Sequence, residues 1–289
     1  MEIALSAMET LRGAAPAKLN LFLHVVGRRA DGYHLLQSVF RLLDWGDEVI
    51  LRARDDGRIR RTSELVGVPE AEDLVVRAGR ALQQASKCRL GADLSVIKRL
   101  PMGGGLGGGS SDAATTLLGL NRLWGLGYSR RELVEIGLSL GADVPFFLFG
   151  QDAFVEGVGE LMQPVSLAPA WYVIVFPNVS VPTAEIFSAR ELTRNTQLIK
   201  IADFALNATR NDLEAVACNR FPEIKGAISW LGRYHPARMT GSGACVFAEV
   251  PSESEAKKIV GACPSSWKAW CARSSGFHPL HDWVSDDQL

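Results

Sequence analysis

Between Leu100 and Asp112 the chain reads Leu-Pro-Met-Gly-Gly-Gly-Leu-Gly-Gly-Gly-Ser-Ser-Asp, six glycines in seven positions between an apolar strand-like run and a helix-like one. Glycines carry no Cβ, so backbone N–H groups can converge on an anion while the following helix adds its unpaired N-terminal donors. Ser110 and Ser111 suit two tasks, capping that helix and offering hydroxyls to a phosphate or its metal ion. A flexible linker mixes Gly with Ser over longer stretches, so this context predicts a phosphate cradle. Two further segments hold groups that phosphoryl transfer needs. In Pro16-Ala17-Lys18-Leu19-Asn20-Leu21, side chains two apart share a strand face, which lets Lys18 and Asn20 line one cleft. Gly141-Ala142-Asp143-Val144-Pro145-Phe146-Phe147 sets a single carboxylate between a helix end and a proline in apolar surroundings. Met239-Thr240-Gly241-Ser242-Gly243-Ala244-Cys245 is a second glycine turn ahead of a strand. One lysine, one carboxylate and two glycine turns are the parts of a small kinase.

Other phosphate loops fit less well. A Walker loop has Lys directly before its Ser or Thr, and Gly109 stands there. Gly103, Gly105 and Gly108 do spell G-x-G-x-x-G, but a dinucleotide-binding unit continues from its helix into a second strand ending near an acidic residue. Here Ala113–Trp124 leads through Gly125-Leu126-Gly127 into another helical pattern, Arg130–Leu140. The lysine strand, His-Arg-Asp loop and Asp-Phe-Gly triplet of protein kinases do not follow either.

The elements that must position these groups begin with strands at Lys18–Gly27, Asp47–Ala53 and Arg58–Thr62. A helix over Asp73–Ser86 places Leu74, Ala78, Ala81 and Leu82 on one face, and the strand Ala92–Lys98 leads into the glycine loop. Ser129 and Glu132 form a capping box for the second helix after the loop. Periodicity lapses over Pro164–Pro169, which divides the chain into domains 1–163 and 164–289. The second begins with a buried-looking strand, Trp171–Phe176. It continues as helices Asn211–Ala217 and Pro222–Gly232, strand Ala244–Val250, helix Glu253–Val260 and strand Trp267–Ala272. That order predicts a ferredoxin-like α+β layer sandwich.

At 289 residues and 47% apolar content the chain can bury a substantial core, and its net charge of −1 is spread without a basic face, which argues against a nucleic-acid partner. The five cysteines are scattered and lack C-x-x-C spacing, as reduced core thiols do. No window reaches the roughly 20 apolar residues of a membrane span. The amino terminus has no signal-type pattern, so a cytoplasmic protein is expected. His278 and His281 have i,i+3 spacing in a polar tail without further ligands, and no protein metal site is expected.

Taken together, the motifs resemble those of the GHMP small-molecule kinases, in the family's order. The resemblance is carried by Pro16–Leu23, Ala30-Asp31-Gly32-Tyr33-His34, Leu100–Ala114, Leu140–Pro145, Glu156–Glu160 and Thr240–Phe247, and so spans most of the chain. The Gly-Tyr-His block and the long form of the glycine loop place it nearest the members that act on a cytidine-linked polyol. The resemblance implies an α+β, two-domain fold with the active site in the interdomain cleft. It also implies ATP as phosphoryl donor, with Mg2+, and a cytidine diphosphate-linked methylerythritol as acceptor. Asp143 becomes the base that takes the hydroxyl proton, and Lys18 the cation that stabilises it and the attacking oxygen. Lys98, Pro101, Met102, Gly103, Gly104, Gly105, Leu106, Gly107, Gly108, Gly109, Ser110 and Ser111 become the ATP site. Tyr33 and Phe187 become a sandwich for the cytosine, His34 and Asn20 bond the substrate, and Thr183 lies beside the reacting end. The assembly expected is a monomer or weak homodimer. Two positions depart from the family. Asp73 stands where an Asn near adenine is usual. Asp112 also replaces a frequent Asn, and it either neighbours a metal ion or turns to the helix start. A different small alcohol as substrate, or a nucleotide-binding regulator without catalysis, are the rival readings; Tyr33-His34 argues against the first, and intact Lys18 and Asp143 against the second.

Overall fold

The computed structural model describes residues 10–204 and 209–286. Two long strands, β1 (Thr10–Arg28) and β2 (His34–Arg54), pair antiparallel along their whole length and form the frame of the first half. β2 also pairs with β4 (Gly91–Ile97) over Glu48–Arg54 and with β5 (Ala153–Gly157) over Leu36–Phe40. β3 (Ile59–Arg61) and β6 (Leu161–Pro164) complete a six-stranded sheet. Four helices pack on it: α1 (Leu74–Ser86), α2 (Gly108–Leu123), α3 (Arg130–Leu138) and the short α4 (Val144–Phe149). Their core joins Leu42, Val49 and Leu51 of β2 to Val76 and Leu82 of α1, Leu117 and Leu120 of α2, and Phe146 and Phe147 of α4.

Each helix start has a local cause. Asp73 accepts from the Val75 N–H and caps α1, so this departure from the family works as a helix cap. Ser129 and Glu132 close the capping box of α3. The helix after the glycine loop starts earlier than expected, at Gly108 with Gly107 as its cap, so Ser110 and Ser111 lie inside its first turn and do not cap it.

The second half contains β7 (Trp171–Phe176), β8 (Ala237–Met239), β9 (Val246–Val250) and β10 (Lys268–Arg273), in the order β10-β7-β9-β8 with every pairing antiparallel. In chain order this is 4-1-3-2, the split arrangement of a ferredoxin-like sandwich. The helices α5 (Thr183–Ser188), α6 (Glu214–Arg220), α7 (Pro222–Leu231) and α8 (Glu253–Gly261) accompany it. Sequence reading missed β8, a strand of only three residues, and placed α6 three residues early.

A third apolar cluster joins the halves. It contains Leu19, Leu21 and Phe22 of β1, Tyr172 and Ile174 of β7, Phe247 of β9, and Leu100 and Leu106 from either side of the first glycines. The leucine interrupting the glycine run is therefore the loop's buried anchor. After β10 the chain returns to the first half: Gly276 accepts from the Asp152 N–H at 3.0 Å, the His278 N–H donates to Gly150 at 2.8 Å, and Leu280 and Val284 join the first core. The expected boundary between residues 163 and 164 falls at the last residue of β6, and the tail after β10 packs on the first half.

Candidate active site

Lys18 and Asn20 do share a face of β1, with Lys18 Nζ 2.6 Å from Asn20 Oδ1. Asp143 Oδ2 lies 3.4 Å from the same ammonium, which also sits 4.1 Å over the Phe40 ring. Burial pulls the Lys18 pKa below its ordinary value, and the Asp143 carboxylate opposes that fall. Asp143 occupies the N-cap position of α4, yet its side chain makes no capping hydrogen bond, so with Oδ2 facing Lys18 its other carboxylate oxygen is not used by the helix start. Its side chain is one-third exposed, at 33%, whereas that of Lys18 is 4% exposed. The pair is thus an anchored cation presenting a carboxylate to a cleft.

The glycine loop forms a wall between two clefts. On one side, a cavity of about 300 Å³ is lined by Lys18, Asn20, Asp143, Thr183, Phe187 and the second glycine turn. On the other, a cavity of about 400 Å³ is lined by Leu65, Val68, Leu74 and every residue from Pro101 to Ser110. Gly103, Gly105, Gly107 and Ser110 face both. The Lys18 N–H donates to Leu106 at 3.0 Å, and the N–H groups of Ala244 and Cys245 donate to Gly103 and Gly104 at 3.1 Å each. The loop is therefore fixed to both halves of the molecule.

These contacts give several glycines a reason that sequence reading did not supply. A Cβ on Gly105 would lie 2.4 Å from the Thr240 carbonyl oxygen, and one on Gly107 would lie 2.8 Å from Phe147. Both residues also have φ near +73°. Protein, and not only a ligand, excludes side chains there. Gly109 differs, because its Cβ would meet only Leu74, at 3.5 Å. The first intrahelical bond of α2 runs from Ser111 N–H to Gly107, which leaves the N–H groups of the preceding three residues unpaired within the helix.

Ser110 faces both clefts, but Ser111 is fully buried, its Oγ has no partner and it lines neither. Lys98 lines the second cleft with its ammonium held between Asp112 Oδ2, at 2.8 Å, and Asp47 Oδ2. Asp47 in turn accepts from the Leu100 N–H at 2.8 Å and from the Arg99 N–H, so this cluster fixes the loop's entry. Burial works against the Lys98 charge, but Asp112 and Asp47 outweigh it and hold its pKa high. With two carboxylates for one ammonium, burial pushes Asp112 up to about 7, Lys98 pulling against the rise and Asp47 adding to it. Asp112 thus turns to Lys98 and not to the helix start, and that ammonium offsets the charge that would repel a triphosphate.

His34 and Phe187 come together, with ring centroids 5.1 Å apart. Tyr33, the residue before His34, is 66% exposed, and of the three only Phe187 is among the residues lining the two clefts. Thr183 Oγ1 lies 2.8 Å from Ser242 Oγ, so the second glycine turn supports the acceptor cleft. Sequence reading assigned no role to Ser38, Thr240 or Asn211. Ser38 Oγ accepts from Asn20 Nδ2 at 3.0 Å, Thr240 Oγ1 accepts from the Asn20 N–H at 2.9 Å, and Asn211 Nδ2 donates to Met239 and Gly241 at 2.9 and 2.8 Å. Only Thr240 had a local signal, its place in a Thr-Gly-Ser-Gly turn.

The GHMP kinases N terminal domain matches residues 73–151, and the GHMP kinases C terminal domain matches residues 189–269. The chain is 65% identical to the 4-diphosphocytidyl-2-C-methyl-D-erythritol kinase of Aromatoleum aromaticum (strain DSM 19018 / LMG 30748 / EbN1) over 93% of this chain and 95% of the relative. It is 66% identical to the enzyme of that name from Azoarcus sp. (strain BH72), over 92% and 95%. The chain belongs to the GHMP kinases, in the 4-diphosphocytidyl-2-C-methyl-D-erythritol kinase family. A crystal structure of 4-(cytidine 5'-diphospho)-2C-methyl-D-erythritol kinase superposes with a TM-score of 0.82 at 32% identity, over 92% of this chain and 100% of that one. A homoserine kinase from Cytophaga hutchinsonii shares the fold, with a TM-score of 0.68 at 18% identity over 96% and 98% of the two chains. This GHMP kinase is an enzyme that transfers phosphate to an alcohol group.

Proposed function

We propose that the enzyme transfers the γ-phosphoryl group of ATP to the 2-hydroxyl of 4-diphosphocytidyl-2-C-methyl-D-erythritol, a step toward isoprenoid precursors. The observation that carries this reading is the glycine loop as a shared wall, with a nucleotide-sized cleft on one side and the Lys18–Asp143 pair on the other. The triphosphate lies along the unpaired N–H groups at the start of α2, and its terminal phosphate meets the acceptor where Ser110, Gly105 and Gly107 face both clefts. Asp143 accepts the hydroxyl proton as the oxygen attacks. Lys18, desolvated and already placed, stabilises the negative charge that develops there. Asn20 is fixed by Ser38 and Thr240 and orients the hydroxyl beside that ammonium. Tyr33, His34 and Phe187 receive the cytosine.

Mg2+ fits beside this cradle: the Ser110 hydroxyl and the unpartnered Oδ1 of Asp112 are hard oxygen donors. Bound with ATP, it neutralises phosphate charge. Lys98 acts on the nucleotide side through the Asp47–Asp112 cluster that fixes the loop, and Ser111 supports it from within. No helix of the described residues is long and apolar enough to cross a membrane; we place the enzyme in the cytoplasm, working on small molecules as a monomer or weak homodimer.

The test is transfer from Mg-ATP to the cytidine-linked methylerythritol, followed by phosphorus NMR of the product. A new phosphomonoester on the 2-oxygen is expected. Transfer only to another alcohol, such as homoserine or mevalonate, would overturn the assignment.

A further inference from the structure

Arg194 lies beyond α5, outside every motif that sequence reading singled out. Its Nε–H donates to His34 Nε2 at 3.0 Å. Its terminal nitrogens donate to the carbonyls of Leu192 at 3.0 Å, Phe187 at 3.1 Å and Ala189 at 2.6 Å. One side chain therefore joins the start of β2 to the end of α5, and four bonds fix its orientation.

A guanidinium has donors and no acceptor, and it does not lose its proton in proteins. The imidazole nitrogen it meets must then be the one that carries a lone pair. A neutral His34 is left with its proton on Nδ1. Burial first, then the neighbouring cations Arg194 and Arg28, lower its pKa and favour the neutral ring.

We propose that Arg194 is a specificity-setting positioning residue, which holds His34 as the Nδ1–H tautomer and so gives the base pocket one fixed hydrogen-bond donor. Such a donor matches the N3 lone pair of cytosine and opposes the N3–H of uracil. The same guanidinium binds the carbonyl of Phe187, whose ring lies beside His34 and lines the acceptor cleft, so it aligns the group that reads the base edge with the group that covers its face. The inference rests on the cytidine reading above.

Two measurements test it. In uniformly ¹⁵N-labelled enzyme, two-bond proton–nitrogen spectra distinguish the tautomers, and comparison with His34→Gln assigns the His34 signals. The wild type should show a protonated Nδ1, and Arg194→Met should lose that preference. In steady-state assays with cytidine- and uridine-diphosphate-linked acceptors, Arg194→Met should lower the cytidine-over-uridine ratio of kcat/KM by about tenfold or more, since a site built to hydrogen-bond one partner loses its discrimination with that bond. Arg194→Lys, which keeps a charged donor, should restore part of the ratio. A wild-type spectrum with the proton on Nε2 would overturn the proposal, and that spectrum is decisive even where Arg194→Met fails to fold. So would an Arg194→Met enzyme that loses both substrates equally, because Arg194 would then only brace the end of α5. A wild type that phosphorylates no cytidine-linked acceptor would instead overturn the proposed function, separably, because the nitrogen spectrum needs no substrate.

Discussion

At the scale of single residues, charges are placed for chemistry at a cost to the fold. Lys18 is 3% exposed, and among the described residues its buried ammonium is held against the desolvation penalty by Asp143, Asn20 and the Phe40 ring. Lys18→Met should therefore melt at the wild-type temperature or above it, while kcat falls by about 10²-fold or more, as when a transition-state donor is removed. Asp143 tolerates the loss because water already reaches it. Calorimetry beside steady-state kinetics checks both halves of this prediction. Asp112 makes a second one. Its folded pKa, about 7, lies above the ordinary 3.8, so the folded protein holds this proton more tightly than the unfolded chain. That contribution is fully present below about pH 4 and is lost as pH rises to about 7. Relative to Asp112→Asn, the wild type should lose on the order of 1–3 kcal/mol between about pH 4 and pH 8 in urea titrations. Asp152, also raised, to about 6, cancels in that difference. Lys18, Asp143 and the loop were legible because their residue types and spacing are local. Arg194 and Asp47 were not. Their partners lie far along the chain, at His34 and at Lys98, and nothing in an isolated Arg or Asp records that distance.

At the scale of elements, the glycine loop separates two roles that its composition merges. Gly105 serves packing, since a methyl there would strike the Thr240 carbonyl in a left-handed backbone. Gly105→Ala should lower the melting temperature and loosen the two halves, by mechanisms worth about 1–3 kcal/mol. Gly109 lines the second cleft with room at its Cβ, as the proposed nucleotide site requires. Gly109→Ala has room and suits a helix, so stability should hold or rise by about 0.5–1 kcal/mol, whereas ATP affinity drops and cytidine-substrate affinity does not. Calorimetric titration of each ligand decides it. Helices with one wet face, α1 and α3, could be read from the sequence. β2 was read only over its last residues, because Gln37–Leu43 is buried on both faces and leaves no alternation. α4, with Val-Pro-Phe-Phe-Leu-Phe almost wholly buried, likewise lacks a polar face to mark its turns.

At the scale of the whole molecule, three segments tie the halves together: β1, the glycine loop and the tail after β10. Leu280 and Val284 of that tail are buried in the first core, and Arg130 donates to His281 at 2.8 Å and to Leu148 at 2.7 Å beneath it. A chain ending at Gly276 should lose about 3–6 kcal/mol, the worth of burying two such side chains. Near-normal kcat is expected at low temperature, because no described tail residue lines either cleft. Thermal melts and activity at two temperatures would show the split.

The central claim is that the glycine loop parts donor from acceptor so that Asp143 receives the proton. Asp143→Asn tests it most directly, with the dissociation constants of ATP and the cytidine substrate measured beside kcat. Both ligands should bind within a few-fold of wild type while kcat falls by about 10²–10⁴, the range for a lost general base. A kcat within a few-fold of wild type would contradict that claim.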